Sequence, residues 1–198
     1  MAKRAFDLLG AGLALLLLAP LLAAIALWIK LDSPGPVLYR QERVGRGGCL
    51  FRIHKFRTMV ADADRRGPPL TVGADPRITR AGAWLRRTRL DELPQLLDVI
   101  AGHMSLVGPR PEVPQYVAHY PPGLRERALA VRPGITSDAA LDYLDESTLL
   151  GRSSDPERAY VETILPHKLQ LAADYAEHAT LWTDLRVLAR TLRRLLGR

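Results

Sequence analysis

The sequence predicts an α+β protein that is mainly helical, with an N-terminal membrane helix, a small β-hairpin and amphipathic helices around a central core. Three observations support this prediction. Residues 8–29 contain no charged side chain, residues 37–56 hold two strand-like runs around a glycine-rich turn, and residues 155–198 have helical periodicity. We therefore expect two domains: residues 1–31, inserted in a membrane, and residues 32–198, which form the remainder of the protein.

The uncharged run at residues 8–29 has roughly the length that crosses a bilayer. Three interpretations are open: a signal peptide, a spanning helix, and a helix that enters and leaves the membrane on the same side. The run is longer than the apolar part of most signal peptides. Pro20 lies in its middle and would bend a helix, which occurs in spanning and re-entrant helices alike. Lys3 and Arg4 before the run and Lys30 after it fit two ends on the same cytoplasmic side.

The charge composition indicates a phosphate-rich partner. The 198 residues have a formal net charge of +7, and arginine supplies most of the positive charge. Arginine pairs well with phosphate groups, so a nucleotide, a nucleic acid or an anionic lipid would suit this chain. Aromatic residues are only 6% of the chain, which is few for a protein that stacks single-stranded bases. The single cysteine, Cys49, excludes an internal disulfide, and we expect it to be buried or half-buried in a strand.

Two adjacent carboxylates, Asp91 and Glu92, follow three arginines and precede a helix. Pro94 is tolerated only in the first turn of a helix, so the pattern predicts a helix over residues 94–101 that ends at Gly102. The positive end of the helix dipole should lower the pKa of both carboxyls and leave them ionised. They would then hold a cation or attack an electrophile, unless one of them simply caps the helix. The predicted apolar face of the helix consists of Leu93, Leu96, Leu97 and Ile100.

Rigid loops hold two further arginines. Pro109 and Pro111 flank Arg110 and restrict the backbone on both sides of it. Such a loop either presents the guanidinium to a phosphate group or is an ordinary rigid surface turn. Arg132 similarly precedes Pro133 and a glycine. None of the five histidines has the spacing of a metal site.

Basic residues also occur on the second predicted strand and on the last predicted helix. The strand at residues 49–56 carries Lys55 with other basic side chains, which form either a solvated face or an anion site. Residues 181–195 place leucines on one stripe and arginines on the other faces. Such a helix either lies on an anionic membrane surface or packs its stripe on the domain.

The chain contains eight short motifs in a fixed order: Lys3-Arg4 with Asp7, then residues 33–36, 39–41, 55–59, 75–80, 90–96, 104–112 and 132–136. In this order the motifs resemble those of the bacterial sugar transferases, the monotopic phosphoglycosyl transferases that begin the assembly of surface polysaccharides and glycoproteins. The resemblance covers nearly the whole chain. It implies the small form of the family, without the additional transmembrane helices of larger members.

The resemblance implies transfer of a phospho-sugar from a nucleotide diphosphate sugar, such as a UDP-sugar, to undecaprenyl phosphate, with release of UMP. Asp91 would be the nucleophile and would form a covalent phosphosugar intermediate. Glu92 would support metal binding or position the group, so that Asp91 and Glu92 together would bind a Mg²⁺ ion that bridges the diphosphate. Nucleic acid is not an expected partner. The other implied substrate-binding residues are Lys55, Arg80, Arg86, Arg110 and Arg132.

The resemblance also implies a location. The family has a re-entrant helix broken near a proline, which favours a kink at Pro20 and insertion of residues 1–31 into the bacterial inner membrane. Residues 32–198 would be the catalytic domain on the cytoplasmic face. The chain departs from the family in two places. Ala19 stands where a serine is frequent, and residues 137–140 replace a Gly-Trp-Ala-Gln run, so substrate preference does not carry over from better-known members.

Two other functions fit the same residues. One is a membrane glycosyltransferase that moves only the sugar and leaves a nucleoside diphosphate. The other is a membrane-anchored basic protein that binds lipid or nucleic acid without catalysis, for which Asp91 would be dispensable.

Overall fold

The computed structural model describes residues 2–67, 70–143 and 145–197. The protein is mostly helical with a small hairpin and a long apolar N-terminal helix, as predicted. The helices are α1 Ala2–Asp32, α2 Ala63–Arg66, α3 Arg80–Thr88, α4 Gln95–Ala101, α5 Pro114–Val117, α6 Leu124–Ala128, α7 Asp138–Asp142, α8 Glu146–Leu150, α9 Pro156–Ala159, α10 Leu165–His178 and α11 Leu181–Leu196. The strands are β1 Leu38–Val44, β2 Leu50–Phe56, β3 Ser105–Val107 and β4 Gly134–Thr136. Short 3-10 turns occupy Arg46–Gly48 and Leu90–Glu92, and a π-helical turn occupies Tyr160–Ile164.

Helix α1 continues through Pro20 and is rich in leucine and alanine, which favour helix. By length and composition it is long and apolar enough to cross a membrane. Side chains at residues 16–24 are mostly exposed. The buried residues lie toward the two ends of the helix and are Asp7, Ala11, Ile25 and Ile29.

Buried polar contacts fix the N-terminal end of α1 to the rest of the protein. The Asp7 carboxylate accepts hydrogen bonds from the Ser105 hydroxyl at 3.0 Å and from the Leu106 backbone N–H at 3.1 Å. The Lys3 ammonium lies 2.5 Å from the carboxylate of Asp184, which is fully buried on α11. Because Asp7 and Asp184 are buried, these contacts offset the cost of removing their carboxylates from water.

A second set of contacts fixes the C-terminal end of α1. The Asp32 carboxylate accepts a hydrogen bond from the Ala81 backbone N–H at 3.0 Å, at the start of α3. The buried Arg57 guanidinium, just after β2, donates to the carbonyl oxygen of Ser33 at 2.8 Å and to that of Pro34. Both ends of α1 are therefore attached to the same folded body.

The predicted hairpin is confirmed. β1 pairs antiparallel with β2 from Leu38 opposite Phe56 to Val44 opposite Leu50. Gly47 and Gly48 in the connecting turn have φ of 67° and 83°, a conformation that glycine adopts without a Cβ penalty. The prediction for Cys49 is wrong: this residue follows the turn, lies outside the strand and is exposed.

A second sheet was not predicted. β3 and β4 form a parallel pair, with Ser105 opposite Gly134 and Val107 opposite Thr136. The backbones then pass very close to each other, since a Cβ on Gly134 would lie 2.0 Å from the Gly108 nitrogen. This pair brings together the two rigid loops that contain Arg110 and Arg132. Strands of three residues are too short to show alternation in a sequence.

Three apolar clusters hold these elements together. One joins α1 to β2 and α4 through Ala11, Ile53, Leu96, Val99 and Met104, among others. A second joins α1 to α3 through Ile25, Ile29, Phe56 and Leu85. A third lies among α5, α8, α10 and the π-helical turn and contains Tyr116, Leu150, Tyr160, Ile164 and Leu165.

The predicted apolar face of α4 is wrong in part. Leu96 is buried, but Leu97 and Ile100 are 44% and 42% exposed. The buried side is formed instead by Leu96, Val99 and the polar residues Gln95 and Asp98. Asp98 is tolerated there because its carboxylate bonds to the backbone N–H and the ring of His54, at 2.8 and 2.7 Å.

Helix α11 does not pack through its leucine stripe. Leu181, Leu185 and Leu192 are exposed, whereas Asp184 and Val187 are buried against the rest of the protein. The side chain of Leu195 lies outside the described part of the structure. These three leucines therefore do not pack on the domain, which excludes the second interpretation of this helix for them.

Candidate active site

An open cavity of about 1050 Å³ lies between the hairpin, α3 and the loop after β3. Five of the seven predicted site residues line this cavity: Lys55, Arg86, Asp91, Glu92 and Arg110. Residues from four separate parts of the chain thus meet at one place. Pro20 lies elsewhere, in the exposed middle of α1.

The two carboxylates sit on a short turn between two helices. α3 ends at Thr88, and Arg89 then adopts a left-handed conformation with φ 60° and ψ 13°. Asp91 and Glu92 lie in the 3-10 turn that follows, and α4 begins after Pro94. The predicted helix start is correct to within one residue, and neither carboxylate caps α4. We call residues 89–92 the catalytic turn.

Glu92 is buried and fully paired. Its Oε1 lies 2.9 Å from the Lys55 ammonium and 2.5 Å from Nη2 of Arg110, and its Oε2 lies 3.1 Å from Nη1 of Arg110. Burial alone would raise the pKa of the Glu92 carboxyl, but the charges and hydrogen bonds of Arg110 and Lys55 hold it well below its usual value. In return, the Glu92 charge raises the pKa of Arg110. The predicted lowering of the pKa is confirmed for Glu92.

Asp91 is equally buried but is not paired in this way. Its Oδ1 makes no hydrogen bond. Burial, and then the neighbouring Glu92 charge, raise the pKa of the Asp91 carboxyl, although Lys55, Arg86 and Arg110 oppose the change. The predicted lowering of this pKa is wrong, because burial beside a second carboxylate outweighs any effect of the short helix that follows.

Arg86 is held in place next to Asp91 by two threonines. Its Nε donates to Oγ1 of Thr58 at 2.9 Å, and its Nη1 donates to Oγ1 of Thr71 at 3.2 Å. Gly82 allows this arrangement, because a Cβ at that position would lie 1.9 Å from the Thr58 carbonyl oxygen. Both hydrogen bonds use neutral acceptors, so the positive charge of Arg86 stays available to an anion in the cavity.

A group of residues that was not predicted from the sequence lies behind Arg110. Nη1 of Arg43 donates to the Pro111 carbonyl at 3.0 Å and lies 3.3 Å from Oε1 of Glu112. The Tyr160 hydroxyl donates to Oε2 of Glu112 at 2.5 Å. These contacts fix the loop that presents Arg110. Strand alternation could have pointed to Arg43. Arg43 is four residues from Tyr39 and so lies on the same face of β1, and Tyr39 pairs with Lys55 on β2.

Arg80 and Arg132 are not brought to the cavity. Arg80 is the exposed first residue of α3. Nε of Arg132 donates to the Gly102 carbonyl at 2.8 Å, which ties the loop before β4 to the end of α4. Neither residue lines the cavity. Their predicted part in substrate binding therefore has no support from their positions.

The donor atoms suit a magnesium ion only in combination with a phosphate ligand. Within residues 2–67, 70–143 and 145–197 no group of three or more His, Cys, Asp and Glu could hold a metal. Oδ1 of Asp91 is a buried carboxylate oxygen without a partner, whereas both oxygens of Glu92 bind cations. Mg²⁺ commonly binds one or two carboxylates and completes its shell with phosphate oxygens and water. Asp91 fits that role, and Glu92 fits it only if it gives up contacts to Lys55 or Arg110.

A carboxylate with one buried, unpaired oxygen lies among arginine and lysine side chains, and this arrangement is typical of proteins that act on phosphate-bearing molecules. The family can be stated as well. The family model described as bacterial sugar transferase matches residues 1–198, and the chain belongs to this family.

Relatives with names that state an activity or a pathway align with nearly the whole of this sequence. UDP-glucose:undecaprenyl-phosphate glucose-1-phosphate transferase of Caulobacter vibrioides is 41% identical over 198 residues, which cover 98% of this chain and 69% of that protein. An exopolysaccharide production protein of Rhizobium leguminosarum bv. phaseoli is 40% identical over 207 residues, covering 96% and 92%. UDP-N-acetylgalactosamine-undecaprenyl-phosphate N-acetylgalactosaminephosphotransferase of Aeromonas hydrophila is 37% identical over 197 residues, covering 98% and 43%. The chain thus spans less than half the length of the Aeromonas relative.

Proposed function

We propose that this protein transfers a phospho-sugar from a UDP-sugar to undecaprenyl phosphate and releases UMP, as a first membrane step of polysaccharide or glycoconjugate synthesis. The observation that carries the proposal is the unpaired Oδ1 of Asp91, buried in the cavity among Lys55, Arg86 and Arg110. The relatives named for sugar-phosphate transfer to undecaprenyl phosphate support it.

In the first step, an Asp91 carboxylate oxygen attacks the phosphorus bonded to the sugar. A bond forms between that oxygen and phosphorus, and the bond from phosphorus to the bridging oxygen of the diphosphate breaks. UMP leaves with the bridging oxygen and its electron pair. Arg86, which donates hydrogen bonds to two neutral threonine hydroxyls, would stabilise the negative charge on the phosphates.

In the second step, a phosphate oxygen of undecaprenyl phosphate attacks the same phosphorus. The bond between phosphorus and the Asp91 oxygen breaks, and the carboxylate is regenerated. The product is a sugar linked to undecaprenol through a diphosphate. Glu92 would hold Arg110 and Lys55 in position through both steps, because its two oxygens already bind them.

Magnesium would be held by Asp91 together with the diphosphate of the substrate, and Glu92 would join it only by releasing a cation. When bound, the ion would neutralise charge on the leaving phosphate. Lys55 and Arg110 would still supply positive charge on the other side of the catalytic turn.

We further propose that residues 1–31 form a re-entrant membrane segment and that residues 32–198 form a catalytic domain on the cytoplasmic face of the inner membrane. The 31 residues of α1 would be about 46 Å long as a straight helix, more than the roughly 30 Å of a hydrocarbon core. A simple span would place the two ends on opposite sides of the bilayer. Asp7 and Asp32, near the two ends, bind the same folded body, which supports a return to the same side.

One experiment tests the chemistry. The protein in detergent is incubated with UDP-sugars that carry label in the phosphate bonded to the sugar, and both the labelled protein and the released nucleotide are identified. We expect label on the wild-type protein, none on Asp91→Asn, and UMP as the nucleotide. Release of UDP would overturn the proposal, and activity that survives in Asp91→Asn would indicate a function that does not need this carboxylate.

A separate experiment tests the topology. Because Cys49 is exposed, it is first replaced by serine, and single cysteines are then placed at Ala2 or Gly197. We expect a membrane-impermeant thiol reagent to label neither position from the periplasmic side of intact cells, and both after the cells are opened. Periplasmic labelling of position 2 alone would show a spanning helix.

A further inference from the structure

Arg89 has a backbone conformation that its residue type disfavours. Its φ is 60°, and every other described residue with positive φ is a glycine. In this left-handed region the Cβ of an ordinary residue is crowded, so glycine or asparagine would be favoured. Strain of this kind persists where the surrounding structure or the function requires it.

The side chain of Arg89 lines the same cavity as Asp91. Burial is the main cause that lowers the pKa of Arg86, the Asp91 charge raises it, and the Arg89 charge lowers it further. The two guanidinium groups are therefore close enough to repel each other. When an anion binds between or beside two such cations, its attraction to both offsets their mutual repulsion.

Arg89 is followed by a residue that packs against a cluster containing part of α1. The next residue, Leu90, packs against the cluster that includes Ile25 and Ile29 of α1. Trp84 of α3 also contacts Trp28 of α1, with 5.4 Å between ring centroids. Lys55 and Arg110, by contrast, are paired with Glu92.

The two substrates must bring two phosphate groups to Asp91 from different directions. The nucleotide sugar is soluble in water, whereas the acceptor phosphate is attached to a lipid chain and must approach from the apolar phase. We propose that Arg89 binds the phosphate of the lipid acceptor on the α1 side of Asp91. This inference rests on the proposed function, and it assigns one residue to the second step.

The two half-reactions can be measured separately. UMP released without any acceptor reports the first step, and the KM for undecaprenyl phosphate in full turnover reports the acceptor. Arg89→Asn introduces a residue that tolerates positive φ. In this variant we expect the UMP burst to stay within about 2-fold of wild type and the KM for the acceptor to rise about 10-fold or more. Arg89→Lys keeps the charge but not the paired donors, and its KM should lie between the two.

Two further variants serve as controls, one for the loss of a positive charge and one for the strained backbone. Arg52→Gln removes an exposed positive charge on β2 outside the cavity, and it should change neither measurement. Arg89→Gly should raise the temperature of thermal unfolding, because glycine relieves the backbone conformation.

The outcomes distinguish a failure of the role of Arg89 from a failure of the proposed covalent function. An unchanged acceptor KM in Arg89→Asn, or an equal loss in burst and acceptor KM, would overturn the role of Arg89. If Arg89→Asn unfolds, Arg89→Lys tests the proposal instead. A wild-type KM for the acceptor in Arg89→Lys, together with a weakened UMP burst, would contradict a role of Arg89 in acceptor binding. A wild-type protein that releases no UMP without acceptor would instead overturn the proposed covalent function.

Discussion

Asp91 and Glu92 are neighbours on one turn and are each 7% exposed, but the two sides of the catalytic turn that they face are built differently. On the Glu92 side, one carboxylate pairs with two cations at hydrogen-bond distance. On the Asp91 side, a buried carboxylate oxygen has no partner. Burial therefore does not decide what a carboxylate does. Its partners decide whether it holds the cavity together or remains free to react.

The largest expected effect is on the Asp91 side. Asp91→Asn should lower turnover about 10⁴-fold, because the proposed nucleophile is lost. The same change removes a poorly compensated buried charge, so the free energy of unfolding should rise by about 1 kcal/mol. Turnover and thermal unfolding in detergent measure the two effects. A variant that is inactive and also clearly destabilised would argue against the contrast between the two sides.

Glu92→Gln should have the opposite effect on stability. Lys55 and Arg110 would lose the negative charge that compensates them, so the free energy of unfolding should fall by about 3 kcal/mol. Turnover should fall about 10²-fold, because Arg110 would no longer be fixed. Unfolding measurements on both carboxylate variants make the comparison direct. The contrast fails if Glu92→Gln is no less stable than Asp91→Asn.

The two carboxyls should also respond differently to pH. The pKa of Glu92 is lowered, so its stabilising effect is complete above the pKa of unfolded Glu, about 4.3, and is lost as pH falls toward its folded pKa. The pKa of Asp91 is raised, so its destabilising effect is present at neutral pH and disappears as pH falls through that pKa.

Two measurements follow from these signs. The stability advantage of Asp91→Asn over wild type should shrink on acidification, and an advantage that is constant with pH would exclude a perturbed Asp91. The UMP burst should decline with falling pH at a pKa above about 3.9, the value of an ordinary aspartate. A burst that remains constant down to about pH 4 would contradict a raised pKa.

The smallest effect is expected from the threonines that orient Arg86. Thr71→Val removes one neutral acceptor at 3.2 Å and keeps the shape of the side chain. We expect the KM for the UDP-sugar to rise about 3-fold, in line with the loss of one ordinary hydrogen bond. Thr163→Val, at an exposed position away from the cavity, is the matched control. Equal KM values for the two variants would indicate that Arg86 needs no such support.

Much of the fold could be predicted from the sequence, because its elements have long and regular patterns. The uncharged run of α1 and the two strand runs around Gly47 and Gly48 are examples. β3 and β4 could not be predicted, since their three-residue pairing depends on a backbone contact between Gly108 and Gly134 that only the tertiary structure produces. The exposed Leu97 and Ile100 show the same limit, because the neighbours of a short helix decide which of its faces is buried.

The candidate site was predictable as a set of residues but not in its electrostatics. Lys55 and Arg110 reach the carboxylate pair from distant positions, and the motifs that contain them indicate a shared site. Arg86 is only five residues from Asp91 in the sequence. The raised pKa of Asp91 depends on burial and on which carboxylate takes the cations, and neither can be read from the order of residues.

Leu90 of the catalytic turn packs against a cluster that includes Ile25 and Ile29 of the long apolar helix α1. If α1 is embedded, its depth in the bilayer sets the distance of Asp91 from the hydrocarbon region. Bilayers of different thickness change the preferred depth of an embedded helix, at a cost of fractions of a kcal/mol per Å. The acyl chain length of the surrounding lipids should therefore tune how well the head group of the acceptor meets the catalytic turn.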